Sequence, residues 1–225
     1  CPRSLANSAA TLWHPEAQID TTLNAMPAWQ VIKEQEPALH QRILDQMAAL
    51  QKAGEPEQHI IDTIQPQILH LQMTRLQNAP DANVVNYMTI NMEQTAAIQK
   101  VSDDACFRFL YPTVKGGVNP MRMLDKDLMT RRMQADADMM RTAYGKNRHT
   151  VTQAEREAAV EDVRPIMKAL ADKYGEDIQL LQMPEKAVGK EKLSCDMVQD
   201  MWAKVLALPE QKAARVIRLA VSELE

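Results

Sequence analysis

DDACFRFLYPTVKGGVNP, residues 103–120, is the stretch on which the fold of this chain turns. It holds both phenylalanines, one of three cysteines, one of four tyrosines and two of six glycines. Within it, CFRFLY is the one run that alternates as a β-strand does. The run is short and stops at Pro112, which cannot donate to a ladder. No second run alternates, and an isolated strand has nothing to pair with. The segment therefore reads as a long aromatic-containing crossover loop between helices. Phe107, Phe109, Leu110 and Tyr111 are expected to plug a groove, each contributing roughly 1.5–3 kcal/mol when buried. Gly116 and Gly117 then permit the turn into the next helix. A competing reading leaves Phe107, Arg108, Phe109 and Tyr111 outside as a partner-binding set, because aromatics and Arg anchor interfaces.

On both sides the pattern is helical. Leu39, Ile43, Met47 and Leu50 recur at helical spacing, and Gly54 follows as a stop. Ile61, Ile64, Ile68 and Leu71 form a stripe that contains Pro66, a predicted kink. Asp81 reads as the cap of a helix through Val84, Met88, Met92 and Ile98. Asn119 and Pro120 open a Met-rich helix that Gly145 closes. Thr152 to Glu155 is a capping box, and two helices follow Cys195 and Pro209, the last through Ile217, Val221 and Leu224. The expectation is an all-α, irregular bundle of about eight helices joined by mostly short links. Residues 1–14 read as an extended leader and 15–225 as one domain, with a subdivision near 116 as the alternative.

Composition agrees. Aromatics are 4% of the chain, and with so few glycines helix is favoured over sheet. A net charge of −4 argues against a nucleic-acid-binding surface. No apolar run approaches the ~20 residues of a membrane span. Charge is uneven: residues 121–148 hold seven Lys/Arg against four Asp/Glu, and residues 53–105 hold two against seven. The helix carrying Arg131, Arg132 and Arg141 is thus expected to meet an acidic surface, either the chain's own or a partner's.

Three cysteines set the compartment. Cys1 at the first position matches what bacterial lipoprotein processing leaves, with lipid on that residue, although a trimmed chain begins the same way. Lipidation of Cys1 would leave Cys106 and Cys195 as one disulfide in an oxidising compartment.

Catalytic signatures are missing: no G-x-S-x-G, P-loop or G-x-G-x-x-G occurs. The histidines (His14, His40, His59, His70 and His149) show no zinc spacing and read as surface or capping residues. Asp103/Asp104, Asp125/Asp127 and Asp136/Asp138 read as solvated faces. Fifteen methionines are conspicuous, and Met129, Met133 and Met140 share a helical face that suits a core. The leading expectation is a non-enzymatic envelope protein, periplasmic or lipid-anchored at the outer membrane. It would bind another envelope protein as adaptor, assembly factor or inhibitor through Phe107, Arg108, Phe109, Tyr111, Arg131 and Arg132, without cofactor. One alternative is a helical carrier holding a lipid or other hydrophobic ligand in a Met-lined cavity. Another is a periplasmic Cu(I)-binding protein using thioethers such as Met121, Met123, Met129 and Met133, or His70 with Met73.

Overall fold

Prolines set many of the helix boundaries. In the computed structural model, which describes residues 16, 19, 20, 23 and 26–222, α1 (Pro27–Gln35) and α2 (Pro37–Lys52) each begin on a proline. Pro56 and Pro80 occupy the N-cap positions of α3 (Glu57–Asn78) and α4 (Asp81–Val101). Two short helices follow, α5 (Asp103–Leu110) and α6 (Pro112–Lys115). The remainder is α7 (Lys126–Tyr144), α8 (Gln153–Tyr174), α9 (Glu191–Leu206) and α10 (Glu210–Ser222). Short 3-10 turns occur at Pro120–Arg122, Gly175–Leu181 and Pro184–Ala187. The described residues contain no strand, so the all-α reading holds.

The crossover is where the expectation changes. Residues 103–110 are helical, not a loop. Ser102 accepts a hydrogen bond from the Ala105 amide at 2.9 Å, and Asp103 and Asp104 place negative charge at the positive end of the helix. That capping signal outweighs the apparent alternation of CFRFLY. The next helix also starts later than expected. Asn119 caps only the turn Pro120–Arg122, while Asp125 caps α7 by accepting from the Leu128 amide. Asp81 is likewise the first residue of α4 and makes no cap bond; its carboxylate goes to Arg218. Thr152 does cap α8, accepting from the Glu155 amide at 3.2 Å. Helix α3 runs continuously through Pro66.

Helix α4 sits centrally, against α5, α7, α9 and α10, while α7 also packs on α1 and α3. The main core includes Trp29, Ile32, Ile43, Leu76, Val84, Met140, Leu170 and Ile217. Two satellites form around the short helix α5. One gathers Ile98, Ala105, Val118 and the Cys106–Cys195 disulfide; the other gathers Phe107, Leu180, Ala187 and Met197. The disulfide bridges a sequence separation of 89 residues and pins α5 to α9.

Polar clamps reinforce the packing. Arg218, 1% exposed, donates to Glu155, to Asp81 and to the Ala79 carbonyl, joining the α3–α4 corner to α8 and α10. His149 reaches Glu155 at 2.9 Å, and its amide donates to the Asn78 carbonyl. His40 is not a surface histidine: it is 7% exposed, stacked on Trp29 and 2.9 Å from Asp20. Asp20 also accepts from Trp29 and Lys33, and chiefly through Lys33 its carboxyl is held down at about 2. His59 and His70 are exposed as expected; His14, Cys1 and Leu224 lie outside the described residues.

Candidate functional site

Four residues of α7 fall on one face at i, i+3, i+4 and i+7: Met129, Arg132, Met133 and Asp136. Two are apolar and two are charged, yet all four turn inward to line one cleft. Opposite them stand Ile68, Leu69, Gln65 and Gln72 of α3, with Trp29, Ala28 and Ile32 of α1 and the preceding Met26. The crossover closes one end with Arg108, Phe109, Pro112, Val118 and Met121. The volume is about 320 Å³. That is at the small end of ligand pockets, which run ~300–1,000 Å³ and are mostly apolar with a few placed polar groups.

The polar floor is a hydrogen-bonded network. Arg132 and Asp136 side chains are 12% exposed each and are paired from Nε to Oδ1 at 2.8 Å. Arg132 Nη2 donates to the Tyr87 hydroxyl at 3.0 Å, and that hydroxyl donates to Gln72 Oε1 at 3.4 Å. Gln72 also lies beside Asp136 and helps to hold its carboxyl down. Arg132 Nη1 donates to Asn91 and to Gln94, and Gln94 Nε2 leans on Met129 Sδ at 3.7 Å. Burial pushes the Tyr87 phenol up to about 12, so it remains a neutral donor. Burial also raises Asp136, against the pull of Arg132. For Arg132, burial opposes the charge, but Asp136 and Tyr87 outweigh it and the guanidinium titrates above its usual value. Asp136 was expected on a solvated face; it is buried because Arg132 one turn back neutralises it. Asp138, two residues on, is exposed.

At the mouth, the backbone of the crossover is stitched to α3. Gln58 donates to the Gly117 carbonyl, Gln65 to the Val118 carbonyl, and Asp62 accepts from the Gly117 amide. Gly116 has φ +93°, a backbone conformation that favours glycine, and a Cβ at position 117 would displace the Gln65 amide that holds the Val118 carbonyl. Leu69 and Met121 form an exposed apolar rim, 37% and 61% accessible.

The six residues expected to contact a partner scatter. Phe107 is fully enclosed and anchors α5. Tyr111 packs on Phe107 at 5.4 Å between ring centres, and burial raises its phenol to about 12. Arg108 and Phe109 line the cleft, and Arg132 lies in its floor. Only Arg131 stands exposed, bidentate on Glu93 at 2.9 and 3.0 Å. The basic segment thus meets the chain's own acidic half, through Arg122–Glu57 and Arg131–Glu93. Of the thioethers considered for copper, Met121, Met129 and Met133 reach the cleft, whereas His70 is exposed and Met73 is buried. No His, Cys, Asp or Glu cluster among the described residues is placed to hold a metal. A larger open cleft of about 650 Å³ runs past Gln99, Tyr174, Asp196 and Asp200. Asp196 pairs with Lys192, and Asp200 with Lys173 and Lys204, which hold it below its ordinary range.

No family model matches the chain, and no solved structure matches it. A stretch of 20 residues, 9% of the chain, is 90% identical to part of the catabolic alanine racemase of Klebsiella aerogenes and spans 6% of that enzyme. A match of that length is shorter than α3 and carries neither a fold nor a site.

Proposed function

We propose that this is a binding protein rather than a catalyst, and that it holds the apolar part of a hydrophobic ligand in the methionine-lined cleft. The observation that carries the reading is the cleft itself: an open, mostly apolar space of about 320 Å³ bordered by Met26, Met121, Met129 and Met133, over a floor whose polar groups are already paired. Thioether side chains adapt to irregular apolar shapes and suit such a role. Among the alternatives raised by the sequence, the carrier fits better than the adaptor. Two residues expected to grip a protein partner, Phe107 and Arg132, are engaged inside the fold. The disulfide supports an oxidising compartment such as the bacterial envelope, where a buried bond of this kind persists.

The test is a fluorescence titration with N-phenyl-1-naphthylamine. One saturable site per chain is expected. Met133→Glu should weaken binding at least tenfold while circular dichroism stays unchanged, and Val188→Glu, at an exposed apolar position elsewhere, should have no effect. Absence of a saturable site, or a Met133→Glu protein that binds normally, rejects the cleft as the ligand site. Alkylation of the native protein with and without reductant tests the compartment: Cys106 and Cys195 should react only after reduction.

A further inference from the structure

The cleft is lined by three charged side chains, and most of their hydrogen-bonding groups are committed within the fold. Arg132 and Asp136 neutralise each other. Arg132 further commits Nη1 to Asn91 and Gln94, and Nη2 to Tyr87. Asp136 accepts from Arg132. Arg108, the third, directs Nε to the Gly116 carbonyl at 2.9 Å and Nη2 to the Gly117 carbonyl at 3.1 Å and Gln58 at 2.9 Å. Its Nη1 is 4.0 Å from Asp104. These bonds hold the floor and the mouth in place, so turning one toward a ligand would leave a buried partner unsatisfied.

We infer that the ligand class is uncharged: the cleft accepts an apolar molecule without net charge and discriminates against anionic and cationic amphiphiles of the same shape. A charge brought into this space loses its water and meets polar groups already hydrogen-bonded within the fold, and that desolvation is unfavourable. The buried Arg132 would ordinarily suggest a carboxylate or phosphate ligand. Here its donors are spent on Asp136, Tyr87, Asn91 and Gln94, and the guanidinium serves to close the floor. This inference rests on the ligand-binding reading above and adds the sign of the ligand to it.

Three probes on one ring skeleton test it: N-phenyl-1-naphthylamine, its sulfonated relative 8-anilinonaphthalene-1-sulfonate, and a naphthalene bearing a quaternary ammonium. Each is titrated into the full chain at low and high salt. The neutral probe should bind at least tenfold tighter than either charged one, with a Kd that changes less than twofold with salt. A sulfonate or ammonium probe that matches or exceeds the neutral one, with affinity falling as salt rises, overturns the inference while leaving the cleft as a binding site. Failure of all three probes to bind removes the ligand-binding reading and the inference together. Met133→Glu, carried through the same series, identifies whether the measured site is the cleft.

Discussion

Arg218 and Arg132 are both enclosed arginines paired with carboxylates, yet their settings differ in one respect. Arg218 is surrounded by protein on every side, between Asp81, Glu155 and the Ala79 carbonyl. Arg132 is built just as densely into Asp136, Tyr87, Asn91 and Gln94, but one side of its network opens on an apolar cleft. The first arrangement locks four segments of chain at one corner. The second holds a floor in shape without sealing it. What separates the two networks is solvent access: the first is sealed within the fold, and the second borders the open cleft.

The contrast can be broken in graded steps. Arg218→Ala should be the most damaging change, because it leaves Asp81 and Glu155 without their buried partner; a loss of about 3–5 kcal/mol is expected in urea unfolding. Replacing both Cys106 and Cys195 with Ala should cost about 2–4 kcal/mol, since the bond closes a long loop. Arg132→Ala should cost less than Arg218→Ala, about 1–3 kcal/mol, because water entering through the cleft can solvate Asp136. Equal losses at the two arginines would abolish the distinction. Thr152→Ala removes a single cap and should cost about 1 kcal/mol. Arg131→Ala, at an exposed pair with Glu93, should change stability by less than about 1 kcal/mol.

Acid titration sharpens the picture at the N-terminal clamp. Asp20 is lowered from an ordinary 3.8 to about 2, chiefly by Lys33, so its contribution is fully present above the ordinary value and fades as pH falls toward the lowered one. Asp20→Asn should therefore be less stable than the parent at neutral pH, with the gap narrowing between about pH 4 and 2. A gap that stays constant over that window would show that Asp20 acts through packing alone.

The helical architecture was legible because its signals are local. Period and proline placement marked the long helices, and Thr152 was readable as a cap from four residues. The crossover was misread for a local reason too: Ser102 and the two aspartates that start α5 precede the aromatic run that drew the reading toward an extended segment. Pairing Cys106 with Cys195 followed from counting thiols. The cleft was harder to read. Its walls come from α1, α3, α7 and the crossover, far apart in sequence, so no single window displays it. One signal was present. Arg132 and Asp136 sit one turn apart on the same face as Met129 and Met133, and a charge pair embedded in an apolar stripe marks a face that is neither core nor surface. Arg218 offered no such sign, since its partners Asp81 and Glu155 are distant in the chain.

We propose that the Arg132 network floors a site for an uncharged apolar ligand. The most direct measurement is the paired titration of N-phenyl-1-naphthylamine and 8-anilinonaphthalene-1-sulfonate against the intact protein and its Met133→Glu variant. One saturable, salt-insensitive site is expected for the neutral probe, with at least tenfold weaker binding of the sulfonate and loss of the neutral site in the variant. Tighter binding of the sulfonate, or a neutral site that survives Met133→Glu, would contradict it.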